Sequence, residues 1–171
     1  MNNRSLPKMS EYDVKIKIAE IIIRHERLSD LLSYIIKDAL FPELSTGDDK
    51  DVSHNILCRE KDYMFRTFFL DKLSYDKKVE IACSINAEWT KYKMTLKNLG
   101  QQRNKLAHDN CFNIEDYSKN INDPYYYHKK VISSYNKTFD RHEDFRKLIV
   151  KYDDKFDRYL ALKCQRSLNV G

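Results

Sequence analysis

EYDVKIKIAEIIIRHERLSDLLSYIIKDAL, residues Glu11–Leu40, contains neither glycine nor proline. Ile16, Ala19, Ile23, Leu28, Leu31, Leu32, Ile35 and Ala39 recur through it at helical spacing, the pattern of a helix with one apolar side. Ser10 followed by Asp13 forms a capping-box pair at its start, where side chains satisfy the first backbone N–H groups. Pro42 stops it, because proline cannot extend the hydrogen-bond ladder. The stretch therefore predicts one long helix and sets the class of the whole chain.

Composition points the same way. In 171 residues there are 3 Gly and 3 Pro, while 33% of residues are charged; so few breakers favour long helices over strands and turns. The length fits one domain, residues 1–171, and allows a sizeable core. No apolar run approaches the ~20 residues that span a bilayer, and residues 1–10 lack the pattern of a signal peptide. The expectation is a cytoplasmic protein without a membrane anchor. Cys58, Cys83, Cys111 and Cys164 are widely spaced with no CxxC pair, which fits small buried residues rather than zinc or redox chemistry. No metal or other cofactor is expected.

Further helices follow along the chain. After an acidic loop holding Thr46-Gly47-Asp48-Asp49, residues 54–70 read as a second helix carrying Met64, Phe65, Phe68, Phe69 and Leu70. Ser74 caps a third helix with Val79, Ala82, Cys83 and Ile85 inward. A fourth runs from about Ala87 to His108. Residues 109–124 are polar and rich in Asn and Asp, as loops are. Residues 125–137, rich in Tyr, Val, Ile and Ser, read as extended chain or short strands. Asp140 with Glu143 opens a last helix, whose Phe145, Ile149, Tyr152, Phe156 and Tyr159 alternate four-three. The sum is an all-α antiparallel bundle of four to five helices.

The fourth helix carries an oddity. At 100° per residue, Trp89, Tyr92, Leu96, Leu99, Leu106 and Ala107 gather on one stripe, and Arg103 lies in the middle of it. A guanidinium cannot shed its proton, so burying it unpaired is costly. Either an acid on helix 1 pairs with it, or this end of the helix faces a cleft or a subunit boundary. His108 lies about 140° around the helix from Arg103, with Asn104 on its own side. A two-fold related copy would bring both pairs together, which hints at a composite site in a homodimer.

Arg103-Asn104 and Ala107-His108 are similar to the Rx4-6H signature of the HEPN superfamily. The segment Phe68-Phe69-Leu70-Asp71-Lys72-Leu73-Ser74, leading to Lys78-Val79-Glu80-Ile81, also resembles that family's second structural block. The resemblance covers roughly residues 11–110. It implies an antiparallel helical dimer that cleaves RNA without metal, in a toxin-antitoxin or phage-defence setting, with an antitoxin or regulatory protein as partner. Arg103 would hold the scissile phosphate, His108 would exchange protons near neutrality, and Asn104 would orient one of them. The product would carry a 2′,3′-cyclic phosphate. Some members carry a modifiable Tyr two residues after the His; here that position is Asn110.

Charge offers a weaker pointer to RNA. Of the net +5, the segment from Tyr125 to Arg166 accounts for all, with 11 Lys/Arg against 6 Asp/Glu. A basic face suits a polyanion, and it equally suits a solvated amphipathic helix. Lys105, Tyr126, Lys129 and Lys130 are candidate RNA contacts, by charge and stacking, although a tyrosine-rich element packed on the bundle would look the same. Two other readings stay open. A helical dimer of this kind binds RNA or protein without cutting. His108-Asp109 also fits a metal-dependent HD phosphohydrolase, which would need a separate upstream His and a downstream Asp.

Overall fold

The structure is a computed structural model that describes residues 9–42, 52–108 and 123–168, with side chains for 9–42, 60–108 and 123–161. Among these residues every regular element is helical: α1 (Glu11–Leu40), α2 (Val52–Phe68), a 3-10 turn (Leu70–Lys72), α3 (Tyr75–Ile85), α4 (Ala87–Thr90), α5 (Lys93–Ala107), α6 (Tyr126–Asp140) and α7 (Glu143–Leu168). The all-α expectation holds.

The strands expected within residues 125–137 are absent, and α6 stands there instead. Val131, Ile132 and Tyr135 explain the difference, since all three are buried. A helix gathers positions i, i+1 and i+4 on one side, whereas a strand would send Val131 and Ile132 to opposite faces. The strand preference of Tyr, Val and Ile is a weak prior that packing overrides.

The caps follow the sequence at two starts. Ser10 and Asp13 exchange reciprocal bonds, Ser10 N to Asp13 Oδ2 at 3.0 Å and Asp13 N to Ser10 Oγ at 3.2 Å. Ser74 Oγ accepts from Lys77 N at 3.3 Å. The Asp140–Glu143 pair spans the junction of α6 and α7. Asp140 is the last residue of α6, and the position before Glu143 belongs to His142.

The helices cluster into two compact units, the first comprising residues up to Arg27 with Met94–Glu143, the second Leu28–Lys93 with residues from Asp144 on. In the first unit, Val14, Ile21 and His25 of α1, Leu96, Leu99 and Leu106 of α5, and Val131, Ile132 and Tyr135 of α6 are buried. Glu11 bonds Tyr125 near one end of α1, and the Arg24 guanidinium lies 4.9 Å from the Phe139 ring near the other. Helices α1 and α6 therefore run side by side in the same direction, which a purely antiparallel arrangement does not include.

The buried face of this half of α1 is not the expected one. Ile16 and Ile23, with Tyr12 beside them, are exposed, Ile23 to 70% and Tyr12 to 73%. Tyr12, Ile16, Ala19 and Ile23 form one stripe roughly opposite Val14, Ile21 and His25. Both stripes satisfy helical spacing, and only packing selects between them.

In the second unit, Leu31, Leu32, Ile35 and Ile36 of α1 join Val79, Ala82 and Cys83 of α3 and Phe145, Tyr152 and Phe156 of α7 in the core. Trp89 of α4 packs edge-on against Phe145 and Tyr152, at 6.3 and 5.4 Å between centroids. The fourth helix expected from Ala87 to His108 is broken after Thr90. Asn86 caps α4 by accepting from Glu88 N at 3.1 Å, and the Thr90 hydroxyl donates back to the Cys83 carbonyl at 2.6 Å. Those bonds hold α4 as a single turn, and a new helix starts at Lys93. The aromatic cluster of α2 packs only in part: Phe65 meets Phe41 and Phe69 at 4.9 and 5.1 Å, while Met64 and Phe68 are exposed. Cys83 is buried, as read, with its thiol donating to the Trp89 carbonyl at 3.3 Å; Cys58, Cys111 and Cys164 lie outside the described side chains. Among the described residues no helix is long and apolar enough to cross a membrane.

Candidate functional site

The last turn of α5 follows from its two buried leucines. Leu99 and Leu106, seven residues apart, lie on one side of the helix and are buried. Arg103, four after the first and three before the second, must then sit over the same side. Ala107, which the apolar stripe would have put inward, is exposed, and α5 ends there, so His108 is the first residue beyond it. One position around, Gln102 turns toward α6 and donates to Ser134 Oγ at 2.9 Å and Thr138 Oγ1 at 3.3 Å. That clamp fixes the rotation of α5, and with it the direction in which Arg103 leaves the helix.

Arg103 is drawn to α1. Its Nη2 donates to Glu26 Oε1 at 2.6 Å, and its Nη1 to Asn104 Oδ1 at 3.3 Å. Its Nε is buried with no hydrogen-bond partner among the described residues. The Arg103 side chain is 25% exposed and that of Glu26 60%, so the pair sits at the surface and contributes at most about 1 kcal/mol. An Arg on an apolar stripe demanded an acid on helix 1 or a boundary. The acid is present within the chain, and Arg103 alone therefore requires no second subunit.

His25 lies one residue from Glu26 and is buried. Burial pushes its imidazole down to about 4, the Arg103 charge acts in the same direction, and Glu26 opposes them. It is therefore neutral at physiological pH. Neither His25 nor Glu26 was legible as part of a site, because His25 reads as one more residue of an amphipathic helix. The only signal for Glu26 was the requirement that some acid on helix 1 meet Arg103.

The three motif residues are tied across one turn. Asn104 accepts from Arg103 through its side chain, and its backbone carbonyl accepts from His108 N at 3.2 Å. Asn104 and His108 are both exposed. Arrayed this way they present an amide, an imidazole and a partly covered guanidinium at one helix end. That set can bind an oxyanion and move a proton.

The four expected RNA contacts divide. Lys105 and Lys130 are exposed, and Tyr126 is half-buried. Lys129 folds back to Asp123, Nζ to Oδ2 at 2.8 Å, with its side chain only 11% exposed. Its charge is directed inward, toward the start of α6. Among the described residues no group of three or more His, Cys, Asp or Glu side chains gathers as a metal site. Asp109 and Asn110 lie outside the described residues. Comparison with models of known families, with curated proteins and with solved structures finds no significant match.

Proposed function

We propose that this chain is a metal-independent endoribonuclease of the HEPN type, acting in a toxin-antitoxin or phage-defence role. The observation that carries the reading is the placement of Arg103, Asn104 and His108 together at the end of α5, with Asn104 and His108 exposed and the Arg103 guanidinium bonded to the Asn104 side chain. In this reading His108 takes the proton of a ribose 2′-OH, whose oxygen attacks the adjacent phosphorus. The 5′-oxygen leaves with a proton, and a 2′,3′-cyclic phosphate remains. Arg103 offsets the charge that builds on the phosphate oxygens, and Asn104 orients the phosphate or the imidazole. Lys105 and Lys130 supply attraction for the flanking backbone. The homodimer belongs to the same proposal: the exposed stripe of Tyr12, Ile16, Ala19 and Ile23 ends three residues before Glu26 and is an apolar face suited to a second copy.

The test is incubation with a mixed RNA substrate, with and without EDTA, beside Arg103→Ala and His108→Ala. Cleavage that resists EDTA and falls about 100-fold or more in each variant is expected. Activity that chelation abolishes, or that survives both substitutions, overturns the reading. The Arg103–Glu26 pair favours a second reading, a helical module that binds RNA or protein without cutting; tight RNA binding with intact RNA would select it.

A further inference from the structure

Glu26 occupies the place on Arg103 that a phosphate would need. A carboxylate and a phosphodiester offer a guanidinium the same thing, a pair of oxygens sharing negative charge. Glu26 uses one oxygen, Oε1, on one nitrogen, Nη2. The contact leaves Arg103 Nε buried with no hydrogen-bond partner among the described residues, an arrangement that disfavours the closed pair. Glu26 itself is mostly exposed. It stands at the surface of α1, away from the buried Ile21 and His25 side, so the core does not depend on it. Swinging Arg103 off Glu26 would release Nε and turn two N–H groups outward, the fork that binds phosphate bidentately.

We infer that Glu26 is an internal competitor for RNA phosphate, a latch that holds Arg103 closed until substrate displaces it. The inference rests on the RNA-directed reading of the Arg103–His108 site. Its reach is set by the pair's modest strength: about 1 kcal/mol for a surface ion pair corresponds to roughly a fivefold change in affinity. Such a latch lowers affinity for short or isolated phosphates, and a strand engaging Lys105 or Lys130 as well overcomes it.

The experiment measures binding of a short single-stranded 2′-O-methyl RNA, which cannot form a cyclic phosphate, by fluorescence anisotropy. Glu26→Gln and Glu26→Ala are each expected to bind about fivefold tighter than the native chain. Glu20→Gln removes the same charge from α1 at a residue that pairs with Lys17, and it should give no comparable gain. In the Arg103→Ala background the gain from Glu26→Gln should vanish. No gain at Glu26, an equal gain from Glu20→Gln, or a gain that persists without Arg103 overturns the latch. Thermal melts of each variant verify folding. Cleavage of unmodified RNA by the native chain, scored separately, decides the ribonuclease reading, so the latch can fall while cleavage stands and can stand where none occurs.

Discussion

His25 is a histidine that folding keeps neutral. Its ordinary pKa of 6.5 is brought down to about 4 by burial first and by Arg103 second, against Glu26. The unfolded chain thus binds a proton between those values that the folded chain refuses. Stability from this source is complete above about pH 6.5 and is lost as pH falls toward 4, at up to about 1.4 kcal/mol per pH unit. Urea unfolding at pH 7 and pH 5 should show that loss, and His25→Gln should flatten it. An unchanged slope in the variant would assign the loss elsewhere. Glu11, Asp13 and Glu88, held low chiefly by hydrogen bonds from Lys15, Ser10 and Lys151 respectively, add a further loss only below their ordinary range. Tyr135 gives a second prediction at this scale. It is buried, and its hydroxyl has no hydrogen-bond partner among the described residues. Tyr135→Phe removes that unmet group while keeping the ring, so it should leave stability unchanged or raise it by about 1 kcal/mol; a loss beyond that in thermal melting would reveal a partner. Of this site, Arg103, Asn104 and His108 were legible because they lie within six consecutive residues at the end of α5. Glu26 and His25 were not, because they lie on α1, far along the chain, and meet Arg103 only through packing.

Helix α1 shows how far periodicity reaches. Its existence, its length and its capping box could all be read from the residues, yet its rotation in the first half could not. Tyr12, Ile16, Ala19 and Ile23 share one face, and Val14, Ile21 and His25 the opposite one. Hydropathy favours the first set, because a histidine weakens the second. The chain buries the second set, where the neutral imidazole is accommodated beside Arg103. Alanine at Ile21 should therefore cost about 2–5 kcal/mol, whereas Ile23→Ser should fall within about 0.5 kcal/mol. Denaturant melts of the two variants settle the rotation, and reversed costs would return Ile23 to the core. Ile23→Ser also tests the exposed stripe as a contact between copies, since a dimer built there should dissociate in sedimentation while the monomer keeps its melt. Helix α6 failed to be legible for a related reason. Its residues favour strands individually, and only the joint burial of Val131, Ile132 and Tyr135 requires a helix.

No linker in the sequence marks a division, and the two compact units were invisible to it because α1 runs unbroken through Arg27 and Leu28, where the division falls. Each unit nonetheless has its own buried polar feature. In the second, Lys37 Nζ lies 3.3 Å from Asp62 Oδ1 and 3.2 Å from the centroid of the Tyr159 ring, whose hydroxyl donates to Asp62 Oδ2 at 2.9 Å. Burial and the Asp62 charge push the Tyr159 hydroxyl well above the ordinary tyrosine range, so it stays protonated as the donor. A small open cleft lies over this cluster, with Asp30, Tyr34, Arg66 and Phe156 among its lining. A buried pair of this kind adds little over an apolar replacement, but removing one partner strands the other charge, at about 3–5 kcal/mol. Lys37→Met should therefore destabilise the chain by that amount, and Lys37→Met with Asp62→Leu should recover much of it. Where the loss lands is the more informative measurement. Hydrogen exchange of Lys37→Met should rise in residues 28–40, α2 and α7 while residues 11–27, α5 and α6 keep their protection, if the units open separately. Equal loss of protection in both halves of α1 would show that its continuous hydrogen-bond ladder makes the two units one cooperative structure, and the Arg103–His108 site would then owe its stability to a core that contains none of its residues.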